Sequence, residues 1–474
     1  MKYPTVQNFV DGQFVPCEGE HADVISPLDG ATLSRVPLSG AAHVAAAVEA
    51  AKRAFAAWSA ETLKQRAQVA YAYREQLRRN VEELAGLIHE ENGKTLDEAR
   101  AELMRSIEVT EFACSLPQVA AGEVLEVSRG VECRVERSPL GVVASVSPFN
   151  FPSMVPHWTI PIAITLGNTM VFKPSEKVPL SAVRTAELLT AAGLPPGVFN
   201  VIHGERPVVE ALCDHPLVKA ITFVGSTPAA KSVYVRATSH FKRALALGGA
   251  KNHLIVLPDA EVQPTAASVV ASMAGCAGQR CMAAATLIAV GEVEHIIDKV
   301  CSEARRLVPG KNLGPVISAA AKSRIERCIA EAEAAGAKVL LDGRGVVVPL
   351  SEGGYYLGPT VLDHVRPEMK IAQEEIFGPV LAIIRSRDLD GAVAVENASP
   401  YGNAAVIFTT SGGHARTLAQ RASAGMIGVN VGVPVPVEPF GFGGWNDSRF
   451  GAGDITGKSS IDFWTQSKKI TTRW

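Results

Sequence analysis

The chain has 474 residues, 47% hydrophobic and 20% charged, and its 46 basic and 48 acidic residues leave a formal net charge of −2. That length exceeds what one hydrophobic core usually holds and implies two or three domains. The balanced charge, with no basic stripe and no like-charge tail, excludes nucleic acid as an expected partner and leaves small molecules and copies of the chain itself.

The start, MKYPTVQNFVDGQFV, lacks the basic residues and apolar run of a signal peptide. Beyond it, helical spacing of Ala, Leu, Glu and Arg predicts helices over 41–58 and 63–90, and a third from about 95 to 114. The pattern then alternates. Residues 124–127 and 132–136 predict two strands that turn at Arg129-Gly130, a projecting hairpin. From Gly141, short buried strands at 142–146, 170–173, 198–202 and 220–224 alternate with helices. The most apolar stretch, 155–166, is broken by Pro156, His157 and Pro161 and is too short to span a bilayer, so no membrane association is expected. A second alternating series starts at 252–257 and continues through 286–290, 338–341, 380–384 and 404–408. Strands alternating with helices predict parallel sheets, so the fold class is α/β with two consecutive α/β domains. The tail from Phe440 is dense in Gly and aromatics and ends in a strand, 467–473, expected to pair outside its own domain. Eight cysteines with no CxxC pair or zinc spacing read as reduced thiols, with no metal site and a cytoplasmic location expected. A mitochondrial protein whose leader has been removed reads the same way.

A dinucleotide site in such a fold needs strand-end loops and a helix N-terminus. No GxGxxG follows a strand; Gly451-Ala452-Gly453 with Gly457 has the wrong spacing and reads as a loop. Two other strand ends suit the task better. FKPSE (172–176) places Lys173 and Glu176 at a strand terminus, where the carboxylate can accept from ribose hydroxyls and repel the extra phosphate of NADP. FVGS (223–226) ends a strand and opens a helix whose first amides can face a phosphate. Taken alone, Lys173 also fits a surface charge and Ser226 an ordinary helix N-cap.

The segment GQRCMA (278–283) follows a helix of small residues expected over 266–277. A thiol, Cys281, beside the Arg280 guanidinium at a turn is set up for a lowered pKa. Cys276, on the preceding helix, reads as a structural cysteine.

With SPFNFP (147–152), FKPSE, FVGS, GQRC and EEIFGPV (374–380) in this order, the chain resembles the aldehyde dehydrogenase superfamily over its full length. The resemblance implies a Rossmann-like NAD domain over 1–119 and 140–246, a catalytic α/β domain over 247–439, and a small β oligomerisation element from 120–139 and 440–474. It implies that Cys281 attacks the aldehyde, and that Asn150 and the Cys281 N–H donate to the oxyanion, each donor being worth about 3 kcal/mol. Lys173 and Glu176 would hold the adenosine ribose, Ser226 the pyrophosphate, and Glu375 and Phe377 the nicotinamide ribose and ring. Pro148, Phe149, Ser175 and Gly225 complete the implied cofactor set, and the family form is a homo-oligomer, a tetramer.

One departure narrows the expectation. Most of the family hydrolyse the thioester with a glutamate 34 residues before the cysteine, and that position here is Leu247, in LALGGAKNH (245–253). Without a base, water is a poor nucleophile, whereas a thiol is a strong one, so coenzyme A is the expected acceptor. GAKNH, GQRCMA, NFPSMVP (150–156) and NVGVP (430–434) resemble the CoA-acylating methylmalonate-semialdehyde dehydrogenases, whose substrates carry a carboxylate. Arg280 and Arg105 match the arginines that grip it there, a role suited to the guanidinium fork. Read alone, Arg105 lies on a solvated helix face with Glu102 and Glu108 as neighbours. The reaction implied is NAD-dependent decarboxylation of malonate or methylmalonate semialdehyde to acetyl-CoA or propionyl-CoA. The alternative is a hydrolytic enzyme that releases a free acid. The connection at 308–312 is shorter than is usual in the family.

Overall fold

Strands buried on both faces require helices on both sides of a sheet. Val142–Val146 and Thr169–Lys173 are buried at every position. In the computed structural model, which describes residues 1–474, they form the centre of an eight-stranded sheet. Its spatial order is Gln13–Val15, Asn8–Val10, Phe199–Val201, Thr169–Lys173, Val142–Val146, Val218–Val224, Arg243–Leu247 and Arg449–Phe450. The parallel core, Phe199–Val201 to Arg243–Leu247, runs third, second, first, fourth, fifth in chain order. That is the Rossmann order, and its reversal between Val142–Val146 and Val218–Val224 opens a crevice at the carboxyl ends of the strands.

The second sheet has seven strands, ordered Lys338–Leu341, Thr360–Asp363, Val380–Ser386, Ala284–Val290, Asn252–Val256, Ala404–Phe408 and Met426–Val429. All neighbours are parallel except the first pair. The α/β class read from the sequence is therefore present in both units, each with its own large apolar cluster. No helix is long and apolar enough to cross a membrane.

The predicted helix over 63–90 is two helices, Leu63–Arg79 and Val81–Asn92. Asn80 separates them: its backbone and its Nδ2 both donate to the Gln76 carbonyl, closing the first helix. Arg78 and Arg79 fall in the last turn of one helix and Glu82 and Glu83 in the first turn of the next, so each end carries the charge its dipole favours. The helix expected over 266–277 is Val262–Ala274 and stops before the nucleophile segment. Cys276 therefore lies in a left-handed turn rather than on that helix.

The hairpin is Glu123–Ser128 with Val131–Pro139. The terminal strand Thr465–Arg473 pairs with Val131–Pro139 along nine residues, from Thr465 opposite Pro139 to Arg473 opposite Val131. Between the second sheet and that strand, Arg449–Phe450 crosses to the edge of the first sheet and pairs with Ala246 and Leu247. The short connection 308–312 closes on itself, with Val308 N–H donating to the Asn312 side chain and Gly310 N–H to the Leu313 carbonyl.

Candidate active site

The crevice at the Rossmann reversal is a cavity of about 890 Å³. The first sheet contributes its strand-end loops, with Pro148, Phe149, Asn150, Lys173, Ser175, Glu176, Gly225 and Ser226. The second sheet presents the amino ends of its strands. Cys281, Glu375 and Phe377 precede its strands Ala284–Val290 and Val380–Ser386 and line the same cavity. Every candidate taken from the sequence is on this wall except Arg105 and Arg280.

On the nucleotide side, Lys173 is buried and pairs with Glu176 at 3.2 Å. Burial lowers its pKa, with Glu176 opposing, so it is no ordinary surface charge. Ser226 stands at the N-cap of Thr227–Ser239, yet its side chain makes no capping hydrogen bond. Phe149 and Phe377 meet edge to face, with centroids 5.8 Å apart.

The segment leading to Cys281 is held in an unusual shape. Cys276 (φ 51°) and Ala277 (φ 53°) are left-handed in succession, a conformation costing about 1–2 kcal/mol per residue. Glu98 offsets part of that cost. Its Oε2 completes a capping box with Thr95, while Oε1 accepts the Cys276 N–H at 2.5 Å. At Gly278 a Cβ would lie 2.1 Å from the Gly378 carbonyl oxygen, so only glycine allows this approach. The Cys281 carbonyl accepts from Asn252 at 2.8 Å and Asn403 at 2.9 Å.

Asn150 is buried, and its Nδ2 donates to the Gln279 carbonyl at 2.8 Å, which leaves one N–H of the amide for another acceptor. Its backbone carbonyl accepts from Lys94 at 2.9 Å. Lys94 is paired at 2.5 Å with Glu102, and both side chains are almost wholly buried. The other Glu102 oxygen accepts the N–H groups of Ser153 and Met154 at 2.7 and 3.0 Å. One ion pair thus grips both ends of the Asn150–Met154 turn. This corrects the reading of Glu102 as a solvated neighbour of Arg105, because the glutamate points into the core.

The expectation of a lowered thiol pKa is reversed. Cys281 is pushed up to about 12, by burial first and by the charge of Glu375 second, and Arg280 offsets only part of this. The Arg280 side chain turns toward Glu98, at 3.8 Å, and packs on Gly275. Burial likewise raises Glu375 to about 7, against the pull of its Ala250 N–H bond and Lys251. Arg105 pairs with Glu108 on its own helix and approaches Glu438 at 3.5 Å.

A model of the aldehyde dehydrogenase family matches residues 14–470. The chain belongs to the aldehyde dehydrogenase family. It is 44% identical over 477 residues to malonate-semialdehyde dehydrogenase 1 of Geobacillus kaustophilus, covering 99% of this chain and 98% of that one. A mitochondrial Drosophila melanogaster relative, also 44% identical over 99% of this chain and 92% of its own, bears a name covering methylmalonate and malonate semialdehyde and the word acylating. The crystal structure of methylmalonate-semialdehyde dehydrogenase from Oceanimonas doudoroffii superposes with a TM-score of 0.98 at 39% identity, over 100% of this chain and 99% of that one. A Sinorhizobium meliloti 1021 structure with the same score and identity, covering 100% of this chain and 98% of its own, was solved in complex with NAD.

Sequence reading missed Lys94, Glu98 and Glu102, all outside the family motifs quoted above. A signal existed for Glu102: it falls on the buried stripe of Leu96–Cys114 with Ala99, Leu103, Ser106 and Thr110, where an unpaired carboxylate is costly. Arg324, which lines the cavity and donates to the Ile376 carbonyl at 2.6 Å, gave none.

Two outcomes follow from this geometry. Glu102→Gln leaves Lys94 without its counter-charge, a loss of about 3–5 kcal/mol for a buried pair. Its Tm should fall clearly in a thermal melt and its kcat by about tenfold or more as Asn150 shifts; an unchanged Tm contradicts the clamp. Alkylation of Cys281 by iodoacetamide in the protein alone, followed by peptide mass spectrometry, should accelerate with pH up to at least about pH 10. A plateau below about pH 8.5 contradicts the raised thiol pKa.

Proposed function

We propose that the chain catalyses NAD-dependent oxidative decarboxylation of malonate or methylmalonate semialdehyde, with acyl transfer to coenzyme A. The observation that carries this reading is Leu247, buried at the end of Arg243–Leu247 where hydrolytic relatives hold their glutamate base. The names of the G. kaustophilus and D. melanogaster relatives support the substrate class and the acylating step.

Cys281, once ionised, adds to the aldehyde carbon, and the oxyanion accepts hydrogen bonds from Asn150 and the Cys281 N–H. Lys173 and Glu176 hold the adenosine ribose of NAD, Ser175, Gly225 and Ser226 line the phosphate path, and Pro148, Phe149, Glu375 and Phe377 frame the nicotinamide end. NAD, when bound, supplies the hydride acceptor and a positive ring that favours the thiolate. The fit is supported by the Rossmann reversal, the Lys173–Glu176 pair at a strand end and the uncapped Ser226. Arg280 and Arg105 take the substrate carboxylate. Loss of hydride from the adduct carbon collapses the oxyanion to a thioester on Cys281, which then loses CO2, its carbonyl accepting the electron pair as an enolate that is protonated. Attack by the CoA thiol releases acyl-CoA and restores the Cys281 thiol.

The two sheets support a division in which 1–119 and 140–246 bind NAD and 247–439 carry Cys281, with Arg449–Phe450 of the tail added at the edge of the first sheet. Residues 120–139 with 440–474 form the oligomerisation element of a homotetramer. Val124, Leu125 and Val127 on the hairpin are 66%, 67% and 53% exposed, an apolar strip on an edge strand that a second copy would cover. A hydrolytic reading has one observation in its favour, since Glu375 lines the cavity with Cys281 and is raised to about 7. Its carboxylate is, however, tied to the Ala250 N–H at 3.2 Å.

Incubation with malonate semialdehyde, NAD and CoA should yield acetyl-CoA, NADH and CO2 in equal amounts, and Cys281→Ala should lower the rate by about a thousandfold or more. Free acetate as the main product with CoA present overturns the acylating reading. Replacing Leu125 and Val127 by Asp should reduce the particle mass measured by light scattering; an unchanged mass removes the hairpin from the interface.

A further inference from the structure

Arg105 has an internal carboxylate already in place. Glu438 lies at 3.5 Å, and its side chain is only 6% exposed. The oxygen that faces Arg105, Oε2, has no hydrogen-bond partner, so the guanidinium is its nearest source of compensation and is too distant to donate properly. A buried carboxylate oxygen in that state is poorly stabilised, and burial raises the Glu438 pKa despite Arg105. The second partner of Arg105, Glu108, is its helical neighbour three residues on and is 43% exposed.

Position matters as much as pairing. Arg105 is flanked by Ser106, which hydrogen-bonds Ser153 in the Asn150–Met154 turn at 2.9 Å. The segment leading to Glu438 packs through Val433 and Val435 on the same apolar cluster as Phe151, Met154 and Cys281. Arg105 thus stands next to the residue that holds the Ser153 end of that turn, and Glu438 meets it there. Its neighbours Val437 and Phe440 are 53% and 72% exposed, so the glutamate has water within a short movement.

We infer that Glu438 is a specificity-determining residue that seats its carboxylate on Arg105 in place of the substrate's. The inference rests on the reading above that Arg105 grips the substrate carboxylate. An acid semialdehyde must exchange with Glu438, which is loosely held and can move toward solvent. A neutral aldehyde binds with the Glu438–Arg105 pair intact, so no buried charge is left unpaired. Both effects narrow the preference for acid over neutral aldehydes, because specificity is a difference between two affinities.

The test compares kcat/KM for malonate semialdehyde with that for propanal, at saturating NAD and CoA, in the wild type, Glu438→Gln, Glu438→Ala and Arg105→Ala. Both Glu438 variants should raise the acid-to-neutral ratio by about tenfold, mainly through a lower KM for the acid aldehyde. Arg105→Ala should lower that ratio. Propanal turnover in the same preparations reports whether each variant has folded. An unchanged or lower ratio in the Glu438 variants, with Arg105→Ala still lowering it, overturns the role of Glu438 alone. An unchanged ratio in Arg105→Ala removes the reading of Arg105 and the inference with it.

Discussion

The buried pair Lys94–Glu102 is the interaction on which the reacting geometry depends. Two ions taken out of water are stable only when their remaining hydrogen-bonding capacity is used. Here it is used on the backbone of one turn: Lys94 holds the Asn150 carbonyl, and Glu102 holds the Ser153 and Met154 amides. The pair fixes the turn that carries Asn150 while adding little favourable energy of its own. The same helix face continues the pattern. Glu98 secures the left-handed Cys276 turn ahead of Cys281, and Arg105 meets Glu438. Three charged residues along Leu96–Cys114 thus tie the Asn150 turn, the Cys276–Cys281 segment and the C-terminal segment to one rigid element.

Around that element, the two sheets meet with opposite ends. The carboxyl ends of the first supply the nucleotide loops, and the edge of the second where its strands begin supplies Cys281 and Glu375. The meeting buries the thiol close to a carboxylate, which explains why it is held protonated before substrate and cofactor arrive. With leucine at 247 and the cavity carboxylate Glu375 engaged with Ala250, a thiol needs no such base to attack the thioester.

Much of this was legible in the sequence wherever the signal was local. Buried strands such as 142–146 and 404–408 were bounded by Gly, Pro or Asn, and the structure returns them as Val142–Val146 and Ala404–Phe408. The break at Asn80 was legible too, in Arg78-Arg79 before it and Glu82-Glu83 after, but the apolar period across it masked the capping signal. What failed was non-local. Arg280 is next to Cys281 in sequence and suggested a lowered pKa, whereas burial, and after it the charge of Glu375 far along the chain, decide it the other way. Glu102 shares a helix face with Ala99, Leu103 and Ser106, but the turn it grips comes from a distant part of the chain. The partner that Glu438 makes for Arg105 likewise exists only once the tail has folded back.

The central claim is that the Cys281 thioester waits for a thiol. It is tested most directly by rapid mixing of the protein with NAD and malonate semialdehyde in the absence of CoA, following NADH absorbance. A burst of one NADH per Cys281 and then a near stop is expected, with steady turnover restored on adding CoA. Steady NADH formation without CoA, at the rate seen with it, would contradict the claim.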